Sequence, residues 1–299
     1  MLALRSTLVV DALDALALAA ARATAADAVL IDLAHPAVQG RRDEARAQAR
    51  RAGQAIAKAG RPVFARVSST VTGEMEADLD AVVGAWLTAV VLSDTEQSQD
   101  ARDADVQIRK REMRARLTPG GIRLIPEIES AEALAVLPGI LRSVDRFGAV
   151  MLSLTGLRED LRLGARASAV YEHAMADVAI AAHTVRLPWA LNVEHHRPEL
   201  TAMPARAHDF GAAGVTVHHE GTARGMNSLF TPDPTEVAIA RAILVEWETV
   251  RARGEWAGVV AGEVLEAPAT DRAVDRRSVR RARALLDQVA AIEARERAG

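Results

Sequence analysis

Short unbroken apolar runs alternate along the chain with longer stretches in which apolar residues recur every three to four positions. The short runs fall at 6–10, 28–33, 63–67, 89–92, 123–128, 149–154, 190–193 and 214–217. Their length and their Val, Ile and Leu content are those of strands covered on both faces. Helical periodicity spans roughly 13–24, 41–59, 74–86, 96–116, 131–144, 165–183, 199–210 and 235–253. Eight strands, each followed by a helix, predict an α/β protein with a (β/α)8 TIM barrel. An open doubly wound sheet is the alternative, but no G-x-G-x-x-G follows the first strand and no P-loop sequence occurs. Beyond the eighth helix, a glycine-punctuated stretch (254–268) leads to a charged helical pattern at 276–297. The expected division is a barrel catalytic domain, 1–253, and a C-terminal helical extension, 254–299. That extension is either a lid or oligomer contact, or a solvated terminal helix.

Composition narrows the chemistry. The 299 residues include 37 basic and 40 acidic ones, a formal net charge of -3. That balance argues against a nucleic-acid partner or an anionic membrane surface, which call for a basic face. The apolar region 8–21 is interrupted by Asp11 and Asp14, unlike a membrane span or an export signal, so a cytoplasmic location is expected. There is no cysteine, which excludes thiolate metal sites, disulfides and a cysteine nucleophile. Alanine makes up about a fifth of the chain and aromatics only 3%, as suits many helices packed closely on a sheet. The only lysines are Lys58 and Lys110. Lys58 ends a helix on the side where strands begin, and Lys110 lies in the charged run QIRKREMRAR. Neither projects into a barrel mouth, so Schiff-base chemistry is disfavoured and carbanion chemistry here calls for a metal ion.

In a (β/α)8 barrel the reacting groups sit where strands end. Those positions hold Asp32 and His35 after strand two, Arg66 and Ser68 at strand three, and Asp94 and Glu96 after strand four. Glu127 and Glu129 follow at strand five and Glu159 and Asp160 after strand six. Glu127 and Glu129 are two apart and share a strand face. A carboxylate there is costly unless it meets a cation or hydrogen-bond donors. Glu129 and Asp160 are an oxygen pair suited to Mg²⁺, and Arg66 is placed to hold a substrate carboxylate in a bidentate fork. Each of these acids reads equally well, taken alone, as a salt-bridge partner. The adjacent pairs His195–His196 and His218–His219, with His35, are a further candidate metal site, although no H-x-x-x-H spacing supports it.

These residues resemble the citrate lyase β-subunit and its relatives, the malyl-CoA and citramalyl-CoA lyases of the metal-dependent aldolase superfamily. The resemblance runs in order through LRSTLVV, ADAVLIDL, FARV with Arg66, LIPEIES with Glu129 and GLREDLRLG with Asp160. It continues through NSLFTPDPTEVAIARAIL and GEVLEAP. It implies a Mg²⁺-dependent barrel (Mn²⁺ being the alternative ion) that makes or breaks a C–C bond next to a carbonyl through a metal-stabilised enolate. Glu129 and Asp160 match the metal ligands, and Arg66 the arginine that orients an oxo-acid. Asp32 and Ser68 join Arg66 in substrate binding. Glu266 stands where the family carries an acid/base aspartate. A homotrimer or homohexamer is implied, with an oxo-acid or acyl-CoA as the small-molecule partner.

The departures from the family pattern are specific. Asp32-Leu33-Ala34-His35 replaces Asp-Leu-Glu-Asp, which puts His35 in place of an acid as a proton shuttle. Ser93-Asp94-Thr95-Glu96 replaces Pro-Lys-x-Glu, Asn192 replaces an aspartate and Val215 a lysine. The GLREDLRLG loop is one residue short, which leaves Glu159 as an alternative to Asp160. The missing lysines lie where the family holds coenzyme A, so an atypical thioester or a free acid is expected. Two readings stand beside the lyase: a degenerate member with a structural or regulatory role, and the same scaffold redirected to decarboxylation or thioester hydrolysis.

Overall fold

The computed structural model describes residues 2–298 except 165–166, 194–199 and 262–271. Eight parallel strands close into a barrel in sequence order: β1 (Ser6–Asp11), β2 (Ala28–Asp32), β3 (Val63–Val67), β4 (Ala89–Leu92), β5 (Arg123–Ile128), β6 (Val150–Ser153), β7 (Trp189–Asn192) and β8 (Gly214–Val217). Closure is made by β1 pairing with β8, Thr7 opposite Thr216. Between them run α1 (Ala15–Ala20), α2 (Arg42–Lys58), α3 (Met75–Val82), α4 (Ser98–Arg114), α5 (Ala131–Ile140), α6 (Leu154–Asp160), α7 (Ser168–Val185), α8 (Met203–Asp209) and α9 (Glu220–Phe230). The expected (β/α)8 TIM barrel is thus the fold of this chain.

Strand alternation divides the apolar residues between two cores. Val29 and Ile31 of β2 face the helices, whereas Ala28 and Leu30 face the barrel interior. The interior is filled by Leu30, Phe64, Val91, Ile125 and Met151 among small residues, Ala28, Ala89, Ala149 and Ala190. The large side chains occupy the centre that the alanines leave open, a packed core rather than a pore. Two positions beyond each inward apolar residue the face turns polar: Leu30 gives way to Asp32, Phe64 to Arg66, Ile125 to Glu127 and Ala190 to Asn192. The strand register sets Asp32 directly beside Arg66. The floor of the mouth is therefore polar on every one of these strands.

Two helices escape the sequence pattern. α6 is a seven-residue helix starting on the Ser153 cap, and α9 contains Gly221 and Gly225, which weaken its intrinsic propensity. Tertiary contacts hold α9 in place. It packs on β1 and β8, and its Asn227 joins the Ser6 hydroxyl (2.6 Å) and the Ala25 carbonyl (2.8 Å). The helix expected at 235–253 forms as α10 (Pro234–Ala252), capped by Asp233, but the helix directly after β8 is α9. The compact unit that holds the barrel covers Leu2–Phe230, and a second covers Thr231–Arg297. The second contains α10, the hairpin β9 (Gly258–Val260) and β10 (Arg272–Val274), and α11 (Arg276–Ala298), built around Ala240, Ile243, Val260, Val274, Val279 and Ala282.

Candidate active site

Arg66 is the hub of the barrel mouth. Its Nε donates to Glu127 Oε2 at 2.6 Å, Nη1 to Asp32 Oδ2 at 3.3 Å, and Nη2 to Glu129 Oε1 at 3.2 Å. β2 and the end of β5 thus deliver three carboxylates to one guanidinium on β3, whose side chain is 18% exposed. The planar fork suits this role, since a lysine cannot direct donors along three edges. Those three neighbours hold the guanidinium charged against the cost of its burial. The charge count is unbalanced: one cation faces three acids. Burial, reinforced by Glu129 and Asp32, pushes the Glu127 carboxyl up to about 8, against the pull of Arg66 and a 2.5 Å hydrogen bond from Asn192 Nδ2.

Asp32 and Glu129 are also held by the backbone. Asp32 Oδ1 accepts the amides of Ala34 (2.9 Å) and His35 (3.1 Å), shaping the turn after β2. Glu129 Oε2 accepts the Asp94 amide at 2.9 Å. Asp94 can present that amide because its φ is +46°, a left-handed conformation that aspartate tolerates better than most side chains. Desolvation and the charge of Glu129 raise the Asp94 carboxyl above its ordinary value.

The residues fit a divalent cation of the hard, oxygen-preferring kind. Gly156 and Asp160 lie one turn apart on α6 and share a face. A Cβ at Gly156 would stand 2.9 Å from Glu129 Oε1, so this face of α6 closes directly on Glu129. Asp160 is tied to the same corner, its Oδ2 accepting the Ala131 amide at 2.8 Å, while its Oδ1 takes no hydrogen bond among the described residues. Two carboxylates and an excess of negative charge match an ion such as Mg²⁺, which keeps several of its waters. No group of three or more His, Asp or Glu gathers as a metal cage among the described residues. Among the described residues Glu159 makes no such contact; His218 and His219 are exposed, and His195 and His196 lie outside the described residues.

The other expected site residues are placed as follows. His35 is half exposed at the mouth, its Nδ1 accepting the Ala37 amide at 3.1 Å and lying 3.9 Å from Asp11 Oδ2. Ser68 is buried and directs its bonds away from the cluster, to Arg42 Nη1 (3.1 Å) and, through its amide, to Asp78 (3.0 Å). Glu266 lies outside the described residues. Among the groups around Arg66, Asn192 carried the weakest sequence signal. It registers only as a substitution, yet its place two residues beyond the inward Ala190 marks it as mouth-facing.

A (β/α)8 barrel whose C-terminal mouth gathers an arginine among carboxylates has the layout of a barrel enzyme. More narrowly, residues 5–219 match the HpcH/HpaI aldolase/citrate lyase family, and the chain belongs to it. No curated protein matches the chain. Among solved structures, a citrate lyase from Burkholderia xenovorans LB400 superposes with a TM-score of 0.70 at 16% identity, covering 96% of this chain and 92% of that one. The CitE protein of Mycobacterium tuberculosis in complex with magnesium, acetoacetate and coenzyme A gives 0.62 at 19% identity, covering 95% and 97%. Haloferax volcanii malate synthase gives 0.64 at 15%, covering 77% and 75%. At these identities the likeness is one of fold. None of the described helices is long and apolar enough to cross a membrane.

Proposed function

We propose that this chain is a Mg²⁺-dependent carbon–carbon lyase or aldolase acting on a β-hydroxy acid or its thioester. The observation that carries the reading is the convergence of Asp32, Glu127 and Glu129 on Arg66 at the barrel mouth. Glu129 and Asp160 are the residues that would hold the ion. Bound there, a divalent cation supplies Lewis-acid stabilisation of the negative charge that develops on a carbonyl oxygen during retro-aldol or retro-Claisen cleavage. Arg66 takes the carboxylate of the oxo-acid by exchange with one of its internal partners. Asp32 fixes Arg66 and the turn that carries His35. His35 accepts a backbone amide at Nδ1, so its proton sits on Nε2, from which it shuttles to the reacting carbon or oxygen. Glu266, in the C-terminal extension, is the second acid/base group.

The CitE structure with magnesium, acetoacetate and coenzyme A supports this class of ligand. The missing lysines at the thioester-holding positions favour a free acid or an atypical thioester here. A homotrimer or homohexamer, cytoplasmic and with residues 254–299 as lid or subunit contact, completes the reading, and sedimentation measures the assembly.

One observation favours a second reading. Every guanidinium nitrogen of Arg66 already faces an internal carboxylate, and Asp160 caps α5. A network closed in this way also suits a catalytically silent structural or regulatory member. Calorimetric titration with Mg²⁺, followed by pyruvate or oxaloacetate, separates the two. Binding supports the lyase, and no binding at millimolar ligand favours the silent member. A mass-spectrometric product screen over malyl, citramalyl and citryl thioesters and free oxo-acids then identifies the reaction, decarboxylation and thioester hydrolysis included.

A further inference from the structure

We propose that Thr216 is a positioning residue that orients Arg66 through a one-way chain of hydrogen bonds crossing β8, β7, β5 and β3. The chain starts at a backbone amide: Val193 N–H donates to Thr216 Oγ1 at 3.2 Å. The Thr216 hydroxyl donates its single proton to Asn192 Oδ1 at 2.8 Å. Asn192 Nδ2 then donates to Glu127 Oε1 at 2.5 Å, and Glu127 Oε2 accepts Arg66 Nε at 2.6 Å.

The Val193 amide occupies one lone pair of the Thr216 hydroxyl, and the hydroxyl proton points to Asn192 Oδ1. The Asn192 amide is therefore held with its oxygen toward β8 and its NH₂ toward Glu127. Asn192 has no such preference of its own, because the two ends of its amide are nearly equal in shape. Thr216 and Glu127 are fully buried, so both ends of the Asn192 bridge are shielded from solvent. With Glu127 locked, the Nε edge of Arg66 is anchored and its terminal nitrogens are set toward Asp32 and Glu129. Thr216 touches no ligand in this arrangement; it sets the orientation in which the guanidinium meets one.

The test reads Arg66 directly. In protein labelled selectively with ¹⁵N-arginine, the Arg66 Nε–H resonance is assigned by its loss in Arg66→Lys. Thr216→Val, close in shape but without a donor, is expected to shift this resonance and to speed its solvent exchange by about tenfold, the weight of one hydrogen bond. Thr216→Ser, which restores the hydroxyl, returns it to the wild-type position. The Nε–H of Arg146, bonded to Asp105 away from this chain, serves as the control and stays unmoved. An Arg66 signal unchanged in position and exchange in Thr216→Val overturns the proposal. Should that variant fail to fold, Asn192→Ala cuts the next link and is read in the same way.

The consequence for ligands rests on the lyase reading: pyruvate affinity in the presence of Mg²⁺ falls about tenfold in Thr216→Val, while Mg²⁺ affinity is kept. Wild-type protein that ignores pyruvate while the Arg66 signal responds to Thr216→Val removes the lyase reading alone. Pyruvate binding with an indifferent Arg66 signal removes the positioning role alone.

Discussion

Arg66 Nε and Glu127 Oε2 stand 2.6 Å apart, a hydrogen bond that joins β3 to β5 across the intervening β4 with no solvent exposure on the glutamate. The pair is half of an unbalanced cluster, because Asp32 and Glu129 share the same arginine. Removing the charge with Arg66→Gln leaves buried carboxylates without a counter-ion, and the expected loss is about 3–5 kcal/mol of stability by chemical denaturation. Added Mg²⁺ is expected to recover part of that loss, since a ligand that binds only the folded state stabilises it. Equal denaturation midpoints for wild type and variant, with and without Mg²⁺, contradict this account of the cluster.

Gly156 is where α6 closes on Glu129. A methyl group there would lie 2.7 Å from Glu129 Cβ and 2.9 Å from Oε1. Gly156→Ala is therefore expected to displace the Glu129 carboxylate and weaken Mg²⁺ binding by about 10–100-fold, the range for groups that orient a metal ligand. The contact with Glu129 Cβ and Cα costs about 1–3 kcal/mol of stability, offset in part by the higher helix propensity of alanine. Calorimetric Mg²⁺ titration reads the effect, and unchanged affinity argues that Glu129 is not a ligand.

His35 sits at the rim with its Nδ1 on the Ala37 amide. As a half-exposed side chain it contributes little to stability, and His35→Ala is expected to change thermal stability within about 0.5 kcal/mol. Once the product screen supplies an assay, the same variant is expected to lose the inflection of the pH–rate profile that belongs to the imidazole. A profile identical to wild type removes the histidine from the mechanism.

A second buried ion pair, away from the mouth, sets the acid sensitivity of the fold. Arg146 Nη2 donates to Glu112 Oε2 at 2.9 Å, and both side chains are buried. Burial opposes ionisation of Glu112, but Arg146 and the amides of Gly120 and Ile122 prevail and hold its carboxyl below the ordinary range. A carboxyl depressed in the folded state contributes stability that is present above its unfolded value, about 4.3 for glutamate, and is lost as pH falls through the folded value. Wild-type stability should thus decline on acidification below about pH 4.3. Glu112→Gln should cost about 3 kcal/mol at neutral pH and flatten that decline. Parallel acid limbs for the two proteins in pH-dependent denaturation refute the assignment.

The strands were legible in the chain because burial on both faces demands unbroken apolar runs. Those at 63–67, 89–92, 123–128 and 214–217 coincide with β3, β4, β5 and β8 to the residue. The family was legible too, since strings such as LIPEIES survive within the matched residues 5–219. α6 and α9 were not, because each is short or glycine-bearing and is stabilised by packing against strands distant in sequence. Arg66, Asp32 and Glu129 could be named as candidates from their strand-end positions. Their mutual engagement could not, nor could the turning of Ser68 toward Arg42 or the chain from Thr216 to Glu127.

By itself, then, the sequence determined the barrel, four of its strands to the residue and the polar positions at the strand ends, because period-two alternation and short-range burial are local properties. Only the tertiary structure decided which of those polar residues meet. The partners of Arg66 lie 34, 61 and 63 residues away along the chain, brought within hydrogen-bond reach by closure of the barrel. Distances of that kind depend on strand register and helix packing, which no local run of residues encodes.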